Sequence, residues 1–180
     1  PQAIGNAVRL LREGRADAAL AGGVDALVTR QIVSGFDKLN ALTGHNDDPA
    51  TASRPFDATR DGFVLGEGTG LLVLETMETA RRRGAPILAE MSGVGFSGDS
   101  YRLTDPRPDG SGMRLSMQRA LDDAALPPGE LGYVNAHGTS TPMNDKAETR
   151  AIKEVLGEHA AKVPVSSTKS MVGHSIHGAG

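Results

Sequence analysis

The chain has 180 residues, a formal charge of −3 and 38% hydrophobic residues, with 23 glycines and only 3% aromatics. That length and apolar content suit one domain or part of a larger one. The slight negative charge, with no Lys/Arg stripe carrying interleaved aromatics, argues against nucleic acid; the absence of cysteine excludes disulfides and thiolate metal sites within the chain; and no apolar run approaches a membrane span.

Ile4, Val8 and Leu11 share one helical face, and Gly14 closes that helix. Residues 18–24 form a short apolar run leading into Asp25 and predict a buried strand. Residues 31–39 predict a short helix with Ile32, Val33 and Phe36 turned inward. The stretch 46–70 has no period and is rich in Asp, Arg, Pro and Gly. So long a loop in a compact domain is usually functional or ordered by other parts of the protein. Residues 71–74 predict a fully apolar strand and 75–83 a charged surface helix. Arg81, Arg82 and Arg83 close that helix, where the helix dipole favours cations.

Residues 87–96 predict a further strand, 101–111 a loop and 112–125 an amphipathic helix. Residues 133–136 predict a strand that delivers His137 into a loop. Thr141 and Pro142 suit the N-cap and first position of a helix running to about Gly157. Residues 163–165 predict a short strand and 166–173 a loop. Strands alternate with helices almost throughout, which implies a layered α/β fold with a largely parallel or mixed buried sheet. The chain opens at Pro1 on what reads as a first helical turn and stops in a Gly/Ala run, so it reads as an internal piece of a longer frame. With no leader segment evident, a cytoplasmic protein is the expectation.

Three polar groups fall at strand ends or in loops: His137, Lys169 and His174. Functional groups in α/β folds gather at strand C-termini, and the glycine beside each histidine lets backbone approach a ligand. Satisfied structural histidines fit the same pattern, and both readings stand at this point. Other motifs are weaker. The run Gly66 to Gly70 resembles a phosphate-binding turn, but it precedes a strand instead of linking a strand to a helix. Ser166 and Lys169 match Ser-x-x-Lys, without the later elements that chemistry uses. His174 and His177 are three apart, but no third ligand sits at metal-binding spacing.

Several segments together resemble one family. They are Ala21-Gly22-Gly23, Asn46-Asp47-Asp48-Pro49, Ala52-Ser53-Arg54-Pro55-Phe56-Asp57, Arg60-Asp61-Gly62-Phe63-Val64-Leu65-Gly66-Glu67-Gly68, Asn135-Ala136-His137-Gly138-Thr139-Ser140-Thr141-Pro142 and Ser166-Ser167-Thr168-Lys169-Ser170-Met171-Val172-Gly173-His174. In this order they resemble the elongating β-ketoacyl-acyl carrier protein synthases of fatty acid and polyketide assembly. The resemblance covers essentially the whole chain. It implies a thiolase-like layered αβαβα fold, incomplete here, with residues 1–85 ending the first half and 86–180 beginning the second.

The resemblance also implies a reaction: decarboxylative Claisen condensation of a malonyl thioester with an enzyme-bound acyl group. It implies His137 and His174 as donors to the malonyl thioester oxygen and Lys169 as the organiser of the cluster. Thr139, Thr141 and Thr104 resemble contacts to a phosphopantetheine arm, and Phe36 and Phe63 resemble acyl-pocket residues. The nucleophilic cysteine of the family is expected a few residues before Pro1. No free cofactor and no metal are implied. The implied partners are acyl carrier protein and, for a full-length protein, a second copy or a chain-length factor. Two positions depart from the family pattern: Arg102 stands where His is frequent, and His177 where Gly is common, its side chain expected to crowd the active-site helix. The alternative function is a non-catalytic chain-length partner, a class that typically loses the His-Gly-Thr element. Taken alone, the 180 residues are expected to leave apolar strands bare and to lack activity.

Overall fold

The computed structural model describes residues 1–102 and 104–179. The first helix, α1 (Gln2–Arg12), buries Gly5, Ala7, Val8 and Leu11 along one stripe. It stops where Gly14 takes a left-handed φ of 67°. The chain then enters β1 (Ala18–Asp25), which pairs antiparallel with β2 (Gly68–Glu75), from Ala18 opposite Glu75 to Asp25 opposite Gly68. Gly22 is required there, because a Cβ would strike the Gly70 backbone.

The apolar run 18–24 is a strand, but it is not buried as expected. Side chains alternate across a strand, and α1 lies against this sheet. Ala21 and Asp25 are buried, whereas Leu20, Val24, Leu71 and Val73 are exposed. These four share the opposite face by register, so this sheet face is bare, as the resemblance led one to expect for the chain alone.

α2 (Arg30–Lys38) starts at Thr29, whose hydroxyl accepts the N–H of Ile32. Ile32 and Phe36 are half-buried, while Val33, expected inward, is exposed because it lies off their shared i, i+4 row. α3 (Met77–Arg82) is shorter than the predicted 75–83 helix, since Glu75 belongs to β2 and Thr76 caps the helix by accepting the Thr79 N–H.

Residues 87–96 do not form the expected strand. Their backbone bonds go to side chains instead of a neighbouring strand. The Asp123 carboxylate accepts the Val94 N–H at 2.8 Å, Arg12 donates to the Ser92 carbonyl and Arg119 to the Phe96 carbonyl. Gly93 and Gly95 let this extended segment lie directly on α4 (Ser111–Ala124).

α4 packs on α5 (Pro142–Leu156), and the seam buries Leu121, Ala151, Ile152 and Leu156. Beside them β3 (Val134–Asn135) runs parallel to β4 (Val165–Ser166). Thr141 does occupy the N-cap of α5 with Pro142 next, but its side chain makes no capping bond. The predicted loop 166–173 contains one helical turn, α6 (Lys169–Val172). Among the described residues the strands form two separate two-stranded sheets, one antiparallel and one parallel, instead of the single buried, largely parallel or mixed sheet expected; the bare far face of the first shows that its burial is incomplete here. No helix among them is long and apolar enough to cross a membrane.

Candidate active site

β3 and β4 aim two loops at one place. β3 is followed, one residue on, by His137, and β4 by Ser167 and Lys169. The β3 loop turns through Gly138 at φ 42° and Ser140 at φ 70°, with Thr139 and Ser140 buried. A Cβ on Gly138 would lie 2.5 Å from the Ser167 Cβ, so glycine lets the two loops touch. Ser167 Oγ donates to the Gly138 carbonyl at 2.8 Å.

Two carboxylates from the start of α5 hold this loop from below. Glu148 accepts the N–H groups of His137 and Gly138, at 2.6 and 2.8 Å. Asp145 accepts those of Thr139 and Phe56, at 3.1 and 2.8 Å, and pairs with Arg60 at 3.3 Å. Arg60 also donates to the carbonyls of Thr141 and Pro142. Both acids are almost fully buried. Buried carboxylates persist only when their oxygens meet donors, and here they do. Burial nonetheless pushes the Glu148 carboxyl up, against the opposing effect of the His137 and Gly138 N–H bonds.

A third strand of contacts places His174. Its N–H donates to the Val64 carbonyl at 2.7 Å, and its carbonyl accepts the Gly66 N–H at 3.1 Å, making a parallel bridge between Leu65 and His174. Gly66 permits that crossing, since a Cβ there would meet the Val172 carbonyl at 2.5 Å. Close backbone contact accounts for the first glycine of Gly66-Glu67-Gly68. The long stretch 46–70 is accordingly ordered. Arg54 ties it internally through the Ala52 and Thr59 carbonyls and Asp61, and Ser53 Oγ donates to the Lys169 carbonyl at 2.6 Å.

The side chains converge. The His137 and His174 ring centroids lie 5.4 Å apart at 85°. The Phe63 and His174 rings pack in a T shape with centroids 5.1 Å apart, and Phe36 packs likewise on Phe63 at 5.2 Å. Lys169 is 3% exposed, and its ammonium donates to the Ala179 carbonyl at 3.2 Å. Burial, then the Lys169 cation, lowers the His174 imidazole to about 4. His137 moves in the same direction, from burial first, then Lys169 and His174, although its exposed edge tempers the loss of solvation. Burial also lowers the Lys169 ammonium, with Glu148 opposing. At neutral pH both rings are therefore uncharged. His174 Nδ1 is buried with no hydrogen-bond partner among the described residues.

Of the residues singled out in the sequence, His137, His174 and Lys169 come together, with Phe63 and Phe36 in line behind them. Thr139 and Thr141 share a 2.9 Å hydroxyl contact in the His137 loop. Thr104 is exposed, and no hydrogen bond among the described residues ties it to the histidine pair. Arg102 pairs with Asp105 at 3.2 Å and lies over the Tyr101 ring. His177 does not crowd the helix as expected. Its ring is 71% exposed and its Nδ1 meets Asp25 Oδ1 at 2.7 Å. Among the described residues no three His, Asp or Glu side chains gather closely enough to hold a metal ion.

Sequence reasoning missed Asp145, Glu148 and Arg60. Their signal was present: two carboxylates three apart on the α5 face that also buries Asn144, Ala147, Ala151 and Ile152. Acids on a helix stripe that is otherwise buried need donors, and the His137–Thr141 loop immediately upstream supplies them.

A histidine pair and a buried lysine, gathered by the β3 and β4 loops and the Leu65 crossing of an α/β scaffold, define a thiolase-like protein, and solved structures agree. The fold superposes on a beta-ketoacyl synthase from Burkholderia phymatum with a TM-score of 0.91 and 46% identity, covering 99% of this chain and 42% of that one. It superposes on a ketosynthase bound to a hexaketide, in complex with its type II PKS acyl-carrier protein, with a TM-score of 0.93 and 42% identity, covering 98% of this chain and 43% of that one. Family models describe residues 2–80 as beta-ketoacyl synthase, N-terminal domain, and residues 88–180 as beta-ketoacyl synthase, C-terminal domain. The chain belongs to the β-ketoacyl synthase family. Two relatives, each named 3-oxoacyl-[acyl-carrier-protein] synthase 2, come from Synechocystis sp. and Vibrio cholerae. Each is 52% identical over 178 residues, which is 99% and 98% of this chain respectively and 43% of each relative. The chain thus spans less than half the length of the curated relatives it matches.

Proposed function

We propose that this chain carries the decarboxylation half of a β-ketoacyl-acyl carrier protein synthase site. The observation that supports this best is the pair of uncharged imidazoles, edge to face at 5.4 Å beside a buried ammonium. In this reading a malonyl thioester seats its carbonyl oxygen against the N–H groups of His137 and His174. The bond between Cα and the carboxylate breaks, CO2 leaves, and the electron pair moves through Cα onto the thioester oxygen as an enolate. Donors placed where charge develops are worth about 3–4 kcal/mol each. They must be neutral in the resting site, and burial and Lys169 make them so. The enolate carbon then attacks the carbonyl of an acyl thioester, and the thiolate departs. That acyl-carrying thiol lies outside these 180 residues, which contain no cysteine.

Thr139 and Thr141 stand beside His137, where a phosphopantetheine arm would bring the malonyl group, and Thr104 is the outer contact. Phe36 and Phe63 line the acyl side of His174. The substrates arrive on acyl carrier protein, so the chemistry calls on no free cofactor. The division into 1–85 and 86–180 fits the break between the two family models at residues 80 and 88. A non-catalytic chain-length partner is not favoured, since the relatives found are named as synthases and the His-Gly-Thr element is intact.

The test is CO2 release from malonyl-acyl carrier protein by the whole polypeptide that carries this chain. His137→Ala should slow it about 100-fold or more. An unchanged rate would refute the assignment.

A further inference from the structure

A ring nitrogen that takes no part in chemistry is usually anchored by a hydrogen bond that fixes the ring's orientation. Among the described residues no group hydrogen-bonds His174 Nδ1, and the nearest polar influence on the ring is the Ser175 backbone. The orientation of His174 therefore depends on the Phe63 edge and on how firmly the backbone is held on either side. On the upstream side the bridge to Leu65 holds it. On the downstream side, residues 175–178 are laid across the glycines of β1 and β2. A Cβ on Gly23 would strike the His177 backbone, and one on Gly178 would meet the Gly68 carbonyl at 2.8 Å.

One side chain fastens that turn. Asp25, at the end of β1, has a side chain only 3% exposed. Its Oδ2 accepts the His177 N–H at 2.5 Å and the Gly178 N–H at 2.8 Å, and its Oδ1 meets the His177 ring. The next residue, Ala179, bonds its N–H to the Ser175 carbonyl and receives the Lys169 ammonium on its own carbonyl. A carboxylate gripping consecutive backbone N–H groups is a strong, directional anchor. The Asp25 grip therefore reaches both His174 and Lys169 through five residues of chain.

We propose that Asp25 is a positioning residue, which sets the orientation of His174 and the seat of the Lys169 ammonium by clamping the 175–178 turn. The His177 ring adds a third bond from outside, but the backbone pair carries the function. This rests on the decarboxylation reading of the site, and the two can fail separately.

The experiment uses the whole polypeptide carrying this chain. Asp25→Asn removes the anionic acceptor and should lower kcat for malonyl decarboxylation about 10- to 100-fold, because small misplacement of a reacting group costs that much. KM should change less than about twofold, the signature of an interaction felt in the transition state. His177→Gly keeps both backbone bonds and should lower kcat less than about threefold. In NMR spectra, Asp25→Asn should shift the His174 ring nitrogen resonances, while His177→Gly should not. A kcat for Asp25→Asn within twofold of the parent overturns the proposal, and so does a His177→Gly loss as large as that of Asp25→Asn. If Asp25→Asn does not fold, amide exchange in the unaltered protein decides. His177 and Gly178 should then exchange at least about tenfold more slowly than Ile176, whose N–H has no described backbone acceptor; equal rates refute the clamp. A parent protein that releases no CO2 refutes the proposed function instead, and the ring resonances and amide exchange still decide the role of Asp25.

Discussion

Acidification tests the electrostatics of the site most directly. His174 titrates at about 4 in the fold against an ordinary 6.5. Between those values the unfolded chain binds a proton that the fold refuses, so stability falls as pH falls. The contribution is fully present above pH 6.5 and is lost progressively down to about pH 4. For one group with these two values, lowering the pH from 7 to 5 removes about 2 kcal/mol of stability. His137 adds to the loss, by less, because its ring keeps an exposed edge. Glu148 acts in the opposite sense: its carboxyl is raised by burial, so its contribution grows as pH falls. Comparison with His174→Phe isolates the histidine, since phenylalanine keeps the edge contact with Phe63 and cannot titrate. Urea unfolding at pH 7 and pH 5 should show the pH-dependent loss to be about 2 kcal/mol smaller in the variant than in the parent. Equal losses in parent and variant, or a His174 ring that titrates by NMR near 6.5, would refute the reasoning.

Gly138→Ala should destabilise by about 2 kcal/mol or more, since the backbone there is left-handed and the new methyl meets Ser167; an unchanged thermal midpoint would count against the packed loop crossing. Asp145→Ala strands the Arg60 guanidinium and the Thr139 and Phe56 N–H groups, and should cost about 3–5 kcal/mol in urea unfolding. A loss below about 1 kcal/mol would mean that water or another acceptor replaces the carboxylate. Phe63→Ala should cost about 3–5 kcal/mol and free the His174 ring, seen as line broadening of its resonances. Sharp, unshifted resonances would remove Phe63 from the account of ring orientation.

Local chemistry made several features legible. The Ile4, Val8, Leu11 row and Gly14 foretold α1 and its end, and Thr141-Pro142 foretold the start of α5. The apolar residues before His137 foretold that a strand would deliver it to a loop. Elsewhere local pattern misled. Residues 87–96 alternate like a strand, but alternation states only that two faces differ. Whether a ladder forms depends on what lies alongside, and here the neighbours are Asp123, Arg12 and Arg119. The run 18–24 is apolar on both faces, which signals burial; α1 lies against the sheet, and Leu20 and Val24 stand open on the far face.

The order of residues alone determined which groups were available: two glycine-flanked histidines and a lysine near strand ends, with hydroxyls beside them and no thiol in the chain. Only the tertiary structure decided that they meet. His137 is set by carboxylates eight and eleven residues further on, and His174 by a backbone crossing with residues 64–66 and by a carboxylate at position 25. The contacts that set His174 join segments more than a hundred residues apart. Their strength comes from burial, which no short stretch of sequence can express, because solvent is excluded only once the segments have closed over one another.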